Sequence, residues 1–132
     1  MLILAPVFNS NFDQRIIKKP TLSTRQEIEL PDKNLLTVGR EEGCDLEINS
    51  KSVSRRHATI TIKNAKEAYI QDGDGTNPSS NGTFVNNQRV TGSKRLLQGD
   101  EIRFAGVLFT LRGLRQRNSE TLTTLNGEGP VS

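Results

Sequence analysis

A single cysteine, Cys44, stands in a chain of 132 residues, so no internal disulfide forms and no site is built from several thiolates. That usage fits a reducing, cytoplasmic setting. Tryptophan is missing, and one tyrosine and five phenylalanines are the whole aromatic stock, so Leu, Ile and Val must supply the core. Long apolar runs are absent too. The opening stretch from Met1 to Phe8 falls far short of the ~20 residues of a membrane span. It has no basic flank ahead of it, which makes it a poor signal peptide and a plausible first strand. Charge of one sign is not in excess: eighteen Lys and Arg face fifteen Asp and Glu. Glu41, Glu42, Asp45 and Glu47 interleave with Lys51, Arg55 and Arg56, giving a mixed surface without the basic stripe expected of a nucleic-acid binder.

What is present is a repeated pattern of short, period-two apolar runs rich in Val, Ile, Thr and Phe, punctuated by Gly, Asn, Asp and Pro. From His57 to Lys63, Ala58, Ile60 and Ile62 alternate with Thr59, Thr61 and Lys63, one set for a core and one for solvent. Further strands are expected at 2–5, 26–30, 35–39, 46–48, 68–71, 83–85, 94–97, 101–104 and 107–112. With no window of helical periodicity, the pattern predicts an all-β, antiparallel β-sandwich of about ten to eleven strands. One domain is expected over 1–113. A long connection spans 6–25, and a polar, flexible tail spans 114–132.

Three clusters fall in loops or at strand lips. Gly39-Arg40 closes one strand, Ser54-Arg55-Arg56-His57 opens another, and Ser80-Asn81-Gly82-Thr83 leads into Phe84-Val85-Asn86. Antiparallel strands deliver loops to both ends of a sandwich, so clusters distant in sequence can meet at one end. Together they offer guanidinium, hydroxyl, amide and backbone N–H donors. That set suits a phosphate dianion, which carries roughly −1.5 to −2 charge and three strong acceptor oxygens. Catalysis has little support. Ser54 and His57 lack a Gly-x-Ser-x-Gly elbow and a third partner. His57 has no second His or Cys at metal-ligand spacing, and Asp72 and Asp74 lack the twelve-residue calcium pattern. Arg40 alone would suit a surface ion pair with Glu41 or Glu42 equally well. No catalytic residue, metal or cofactor is expected.

The ordered set Gly39-Arg40, Ser54-x-x-His57, Asn81-Gly82-Thr83-x-Val85-Asn86 and Leu97-x-Gly99-Asp100-x-Ile102 resembles the signature of the forkhead-associated (FHA) domain, best matched over 26–112. The resemblance implies an FHA/SMAD-like sandwich and a phosphothreonine-dependent protein-interaction module in Ser/Thr kinase signalling. It implies that Arg40 and Ser54 hold the phosphate, with Arg55 supplementing them or meeting the flanking peptide. Ser80 and Asn81 would contact the phosphoresidue and the peptide backbone. Gly39, His57, Gly82, Thr83 and Asn86 would brace the site. The partner implied is a phosphothreonine-containing protein, a Ser/Thr kinase or its substrate. Two departures stand out. Asn87 replaces the glycine common after the Val-Asn pair, although Asn also tolerates left-handed backbone. The segment 71–80 is longer than the family's usual loop, so the preferred peptide sequence does not carry over.

Two other readings keep the fold. One is a phosphorylation-independent scaffold or oligomerisation module; the other binds nucleic acid through Lys51, Arg55, Arg56, Lys94 and Arg95. No membrane association is expected. Thr121, Thr123 and Thr124, beside Glu120, are candidate phosphorylation sites through which the tail would occupy the domain's own cleft.

Overall fold

The structure, a computed structural model, describes residues 1–7, 14–23 and 25–114. Thr121, Thr123 and Thr124 lie outside the described residues. Twelve strands are described: β1 (Leu2–Pro6), β2 (Ile17–Lys19), β3 (Ile28–Glu29), β4 (Leu35–Gly39), β5 (Leu46–Ile48), β6 (Ala58–Asn64), β7 (Glu67–Asp72), β8 (Thr83–Val85), β9 (Gln88–Arg89), β10 (Ser93–Leu96), β11 (Glu101–Phe104) and β12 (Val107–Leu114). They form two six-stranded sheets, ordered β3-β1-β12-β11-β8-β9 and β10-β7-β6-β4-β5-β2. Among the described residues no helix is long and apolar enough to cross a membrane.

The expected sandwich is observed with twelve strands in place of about ten to eleven, β9 being one the pattern did not show, and with two further differences. The connection after β1 contains a 3-10 turn, Gln14–Ile16, and the short β2, which pairs with β5. And the sheets are not wholly antiparallel, because β4 and β5 run parallel, Val38 facing Leu46 and Gly39 facing Glu47. Parallel neighbours ordinarily need a long crossover. Here the shared ladder is so short that the loop between Gly39 and Leu46 suffices.

Period-two alternation builds the core. Leu36 and Val38 of β4, Leu46 and Ile48 of β5, Ala58 and Ile60 of β6, and Ala68 and Ile70 of β7 turn inward. They meet Leu2, Leu4, Ile102, Phe104 and Phe109 of the facing sheet in one cluster. Each fully buried Leu, Ile or Phe contributes about 1.5–3 kcal/mol, and Phe104 and Phe109 pack edge-on at 5.8 Å. The β8–β9 hairpin turns through Asn86 and Asn87, both left-handed at φ 51° and 70°. Two consecutive positive φ angles are what a tight hairpin needs, and asparagine tolerates them better than other side chains do.

Strand direction fixes the functional end. β4 ends where β6 begins, Val38 opposite Ala58, and β7 ends beside that point, Ala58 opposite Asp72. β8 starts at the same end of the other sheet. The turn between β11 and β12 closes it, the Ala105 amide donating to the Gly82 carbonyl at 3.0 Å.

Candidate functional site

The loops after β4, before β6 and between β7 and β8 converge on a cleft of about 530 Å³ lined by Arg40, Ser54, Arg55, Arg56, Asp74 and Ser80, among others. The first two loops run side by side: the Arg40 amide donates to the Ser54 carbonyl at 3.0 Å and the Glu41 amide to the Arg55 carbonyl at 3.1 Å. Gly39 makes this approach possible. A Cβ there would lie 2.0 Å from the Arg55 carbonyl oxygen, so any side chain would drive the loops apart.

That contact aims Arg40. Its Nε donates to the Val53 carbonyl at 3.0 Å, which anchors the guanidinium of this cleft-lining residue by its inner edge and leaves the two terminal nitrogens without a hydrogen bond among the described residues. Ser54 Oγ accepts from the Ser80 amide at 2.9 Å, so its own proton remains available to a ligand. Arg56 pairs with Glu41 at 2.9 Å, and that hydrogen bond and charge hold the Glu41 carboxyl below its ordinary value. Arg40 and Arg55, by contrast, form no ion pair among the described residues. One oxygen of Asp74 faces its own loop, accepting from the Thr76 and Asn77 amides at 2.8 and 2.7 Å. Arg40, Arg55 and Arg56 against Glu41 and Asp74 leave the lining of the cleft net positive, three charges to two.

Beneath the cleft lies a buried polar brace. His57, with 0% of its surface exposed, accepts at Nδ1 from the Ser54 amide at 3.0 Å. Nε2 lies 2.8 Å from the Gly82 carbonyl and donates to it. Those two partners fix one neutral tautomer. Burial pushes the His57 pKa below its ordinary value, overcoming the opposing pull of the Gly82 carbonyl and Asp72. The Ser54 hydroxyl bonds Ser80 and the His57 ring bonds the Ser54 backbone, so the two side chains do not stand as nucleophile and base.

Asp72, at the end of β7, supplies the second half of the brace. Its carboxylate accepts from Ser79 Oγ and Thr83 Oγ1, both at 2.6 Å, and from the Ser79 amide at 3.0 Å. Burial alone would raise its pKa, but the Ser79 and Thr83 bonds outweigh burial and hold it below the ordinary carboxylate value. Ser79 in turn accepts from the Gly82 amide at 2.8 Å. The Thr83 bond also crosses between the sheets, joining β8 to β7.

Gly39, Arg40, Ser54, Arg55, His57, Ser80, Asn81, Gly82 and Thr83 are thus brought to one end. Asn81 sits at the margin, its Nδ2 donating to the Ser52 carbonyl at 2.6 Å with its carbonyl oxygen left for a ligand. Asn86 is elsewhere. At the far end of β8 it donates to Asp100 at 3.0 Å and accepts from the Glu101 amide at 3.0 Å, tying the hairpin to β11. Sequence reasoning missed the Val53 carbonyl and the Asp72–Ser79–Thr83 cluster. The one available signal was a carboxylate spaced ahead of Ser79 and Thr83. Cys44 is buried and its thiol is pushed up by burial, which keeps it protonated and inert.

Fold and cleft together define a class: a two-sheet β-sandwich that gathers arginine and serine donors from several loops at one end. The chain belongs to the FHA domain family, whose model matches residues 36–105. Among characterised proteins it is similar to the DNA damage response protein kinase DUN1 of Saccharomyces cerevisiae, 31% identical over 85 residues, 60% of this chain and 16% of the kinase. The chain therefore spans about a sixth of that relative's length. Among solved structures it resembles an FHA domain from a structural and functional analysis of phosphothreonine-dependent FHA domain interactions (TM-score 0.61, 23% identity, 87% of this chain and 98% of that one). It also resembles the FHA domain of the CT664 protein from Chlamydia trachomatis (TM-score 0.62, 22% identity, 83% and 94%). These two likenesses are likenesses of fold. Mycobacterium tuberculosis EmbR, solved in complex with a low-affinity phosphopeptide, is 28% identical (TM-score 0.57, 67% of this chain and 22% of that one). The family is typically a non-catalytic interaction module.

Proposed function

We propose that the cleft binds a phosphothreonine-containing segment of a partner protein, a Ser/Thr kinase or its substrate, and that the chain reads this mark without catalysing a reaction. The observation that carries the proposal is the anchoring of Arg40 through Nε to Val53, with Ser54 Oγ and Ser80 beside it. Terminal guanidinium nitrogens, a hydroxyl proton and a second guanidinium from Arg55 match the three acceptor oxygens and the charge of a phosphate. The free carbonyl oxygen of Asn81 is placed to accept from the backbone of the bound segment. Hydrogen bonds to charged groups contribute about 1.5–3 kcal/mol each, against an association cost of about 4–15 kcal/mol. The expected affinity is micromolar, about 8 kcal/mol.

Titration of the labelled protein with O-phosphothreonine, followed by amide NMR, tests this. Saturable shifts at Arg40, Ser54, Arg55 and Ser80, absent with threonine, are expected. They should weaken as the pH falls through about 6, where the phosphate loses its second charge. Shifts confined to a sheet face would instead favour a phosphorylation-independent scaffold.

A further inference from the structure

Resting on the reading of the cleft as a phosphopeptide site, we infer that the outer face of β9, β8 and β11 carries a second contact. There Arg103 and Arg89 hold an aspartate or glutamate side chain of the same partner segment. Register puts the pieces in one line. Arg89 lies opposite Phe84, Phe84 opposite Arg103, and Arg103 opposite Leu108. At a strand spacing of about 4.8 Å, the two arginine backbones stand roughly 10 Å apart with the Phe84 ring between them.

Arg103 is held ready. Its guanidinium carbon stacks 4.0 Å from the Phe84 ring centroid. Nη1 donates to the Ala105 carbonyl at 2.8 Å and Nη2 to Asn87 Oδ1 at 3.3 Å. All of these neighbours are neutral. Neither Arg103 nor Arg89 has an acidic partner among the described residues, whereas Arg56 and Lys33 both do. A half-buried arginine that is fixed in place and makes no direct ion pair, although Glu101 shares a recess with it, costs little ordering entropy when a carboxylate arrives.

The surface is continuous with the cleft. Asn81, next in sequence to Ser80, shares a recess of about 540 Å³ with Ser52, Phe84, Arg103 and Gly106. Gly82 borders it as well, a Cβ there lying 3.0 Å from the Phe84 ring and 3.5 Å from the Arg89 guanidinium carbon. A segment leaving the cleft past Asn81 therefore runs onto Phe84 and the arginines. On the other side of Arg103 the same face carries Glu101, opposite Thr110, which repels an anion and confines it to the cleft side. Two of Arg103's donors are already engaged, so the remaining ones suit one carboxylate.

Binding is measured for a phosphothreonine peptide with neutral flanks and for ten versions carrying one glutamate at positions one to five on either side. Wild type, Arg103→Gln, Arg89→Gln and Arg40→Ala proteins are compared. Glutamate at one or two adjacent positions on a single side should tighten wild-type binding about three- to tenfold, an effect reduced by high salt. Arg103→Gln should erase that gain while holding the neutral peptide within about twofold of wild type, which also shows that the variant is folded. Arg89→Gln should reduce the gain in part. Equal affinity across the scan, or a gain that survives both substitutions, would overturn this inference and leave the cleft reading intact. Failure of every phosphorylated peptide to bind would refute both.

Discussion

Arg40→Ala is expected to lower affinity for a phosphothreonine peptide by about 100-fold or more and to leave the melting temperature nearly unchanged. The size of the loss follows from the geometry. The two terminal guanidinium nitrogens of Arg40 make no hydrogen bond among the described residues, and two charge-assisted hydrogen bonds to a phosphate at about 1.5–3 kcal/mol each amount to at least about 3 kcal/mol, or roughly two decades. The structural cost is small because Arg40 is exposed and its side chain gives up only the bond from Nε to the Val53 carbonyl. The backbone bond to Ser54 that holds the two loops together is untouched. Calorimetry on the tightest sequence from a degenerate phosphothreonine library, with thermal melts of both proteins, checks the two halves. Arg40→Lys should recover only part of the affinity, since an ammonium lacks the planar fork and cannot hold the Val53 carbonyl and the phosphate together.

His57→Ala has the opposite signature: it costs stability first and binding as a consequence. The substitution leaves the buried Ser54 amide without its acceptor, which costs about 1–3 kcal/mol, and takes one of two donors from the Gly82 carbonyl, which keeps the Ala105 amide. It also opens a void against the Phe104 ring, which His57 meets edge-on at 5.9 Å. A loss of about 3–5 kcal/mol is expected, against a typical domain stability of about 5–15 kcal/mol. The melting temperature should fall by more than about 10 °C. Because burial depresses the His57 pKa, the unfolded chain binds the proton more readily than the folded one. The contribution of neutral His57 is complete above the unfolded pKa, about 6.5, and is lost as pH falls from there through the lower folded value. Protonation would place a hydrogen on Nδ1 against the Ser54 amide. Wild-type stability should accordingly decline as the pH falls below about 6.5, and a His57→Gln protein should lose that part of the slope. The depressed pKa of Asp72 adds a second loss, which begins near its unfolded pKa and deepens as pH falls through its lower folded value.

Much of this was legible before any coordinates. Wherever an element alternates strictly, as in Ala58, Ile60 and Ile62, the period-two pattern alone placed it and oriented its faces. The exceptions have physical causes. β2 contributes Ile17, Lys18 and Lys19, too short and too basic to show alternation, and it exists because β5 offers an edge to pair with. β9 is the return of a hairpin whose turn, not its residues, makes it a strand. The parallel pairing of β4 with β5 depends on chain direction in space, to which side-chain pattern is blind.

The site divides along the same line. Side-chain donors such as Arg40, Ser54 and Ser80 have a residue type and can be read from a sequence. The Val53 and Gly82 carbonyls have no such signature, although they aim Arg40 and fix the His57 tautomer. Asp72 was visible as a carboxylate but not as the acceptor that binds Ser79 and Thr83, because that role arises only when β7 and β8 face each other across the sandwich.

The most direct test of the central claim is calorimetric binding of the protein to a degenerate phosphothreonine peptide pool and to the same pool after phosphatase treatment. Micromolar binding to the phosphorylated pool and none to the treated one is the predicted result. Equal binding to both, or to neither, would contradict phosphothreonine recognition by this cleft.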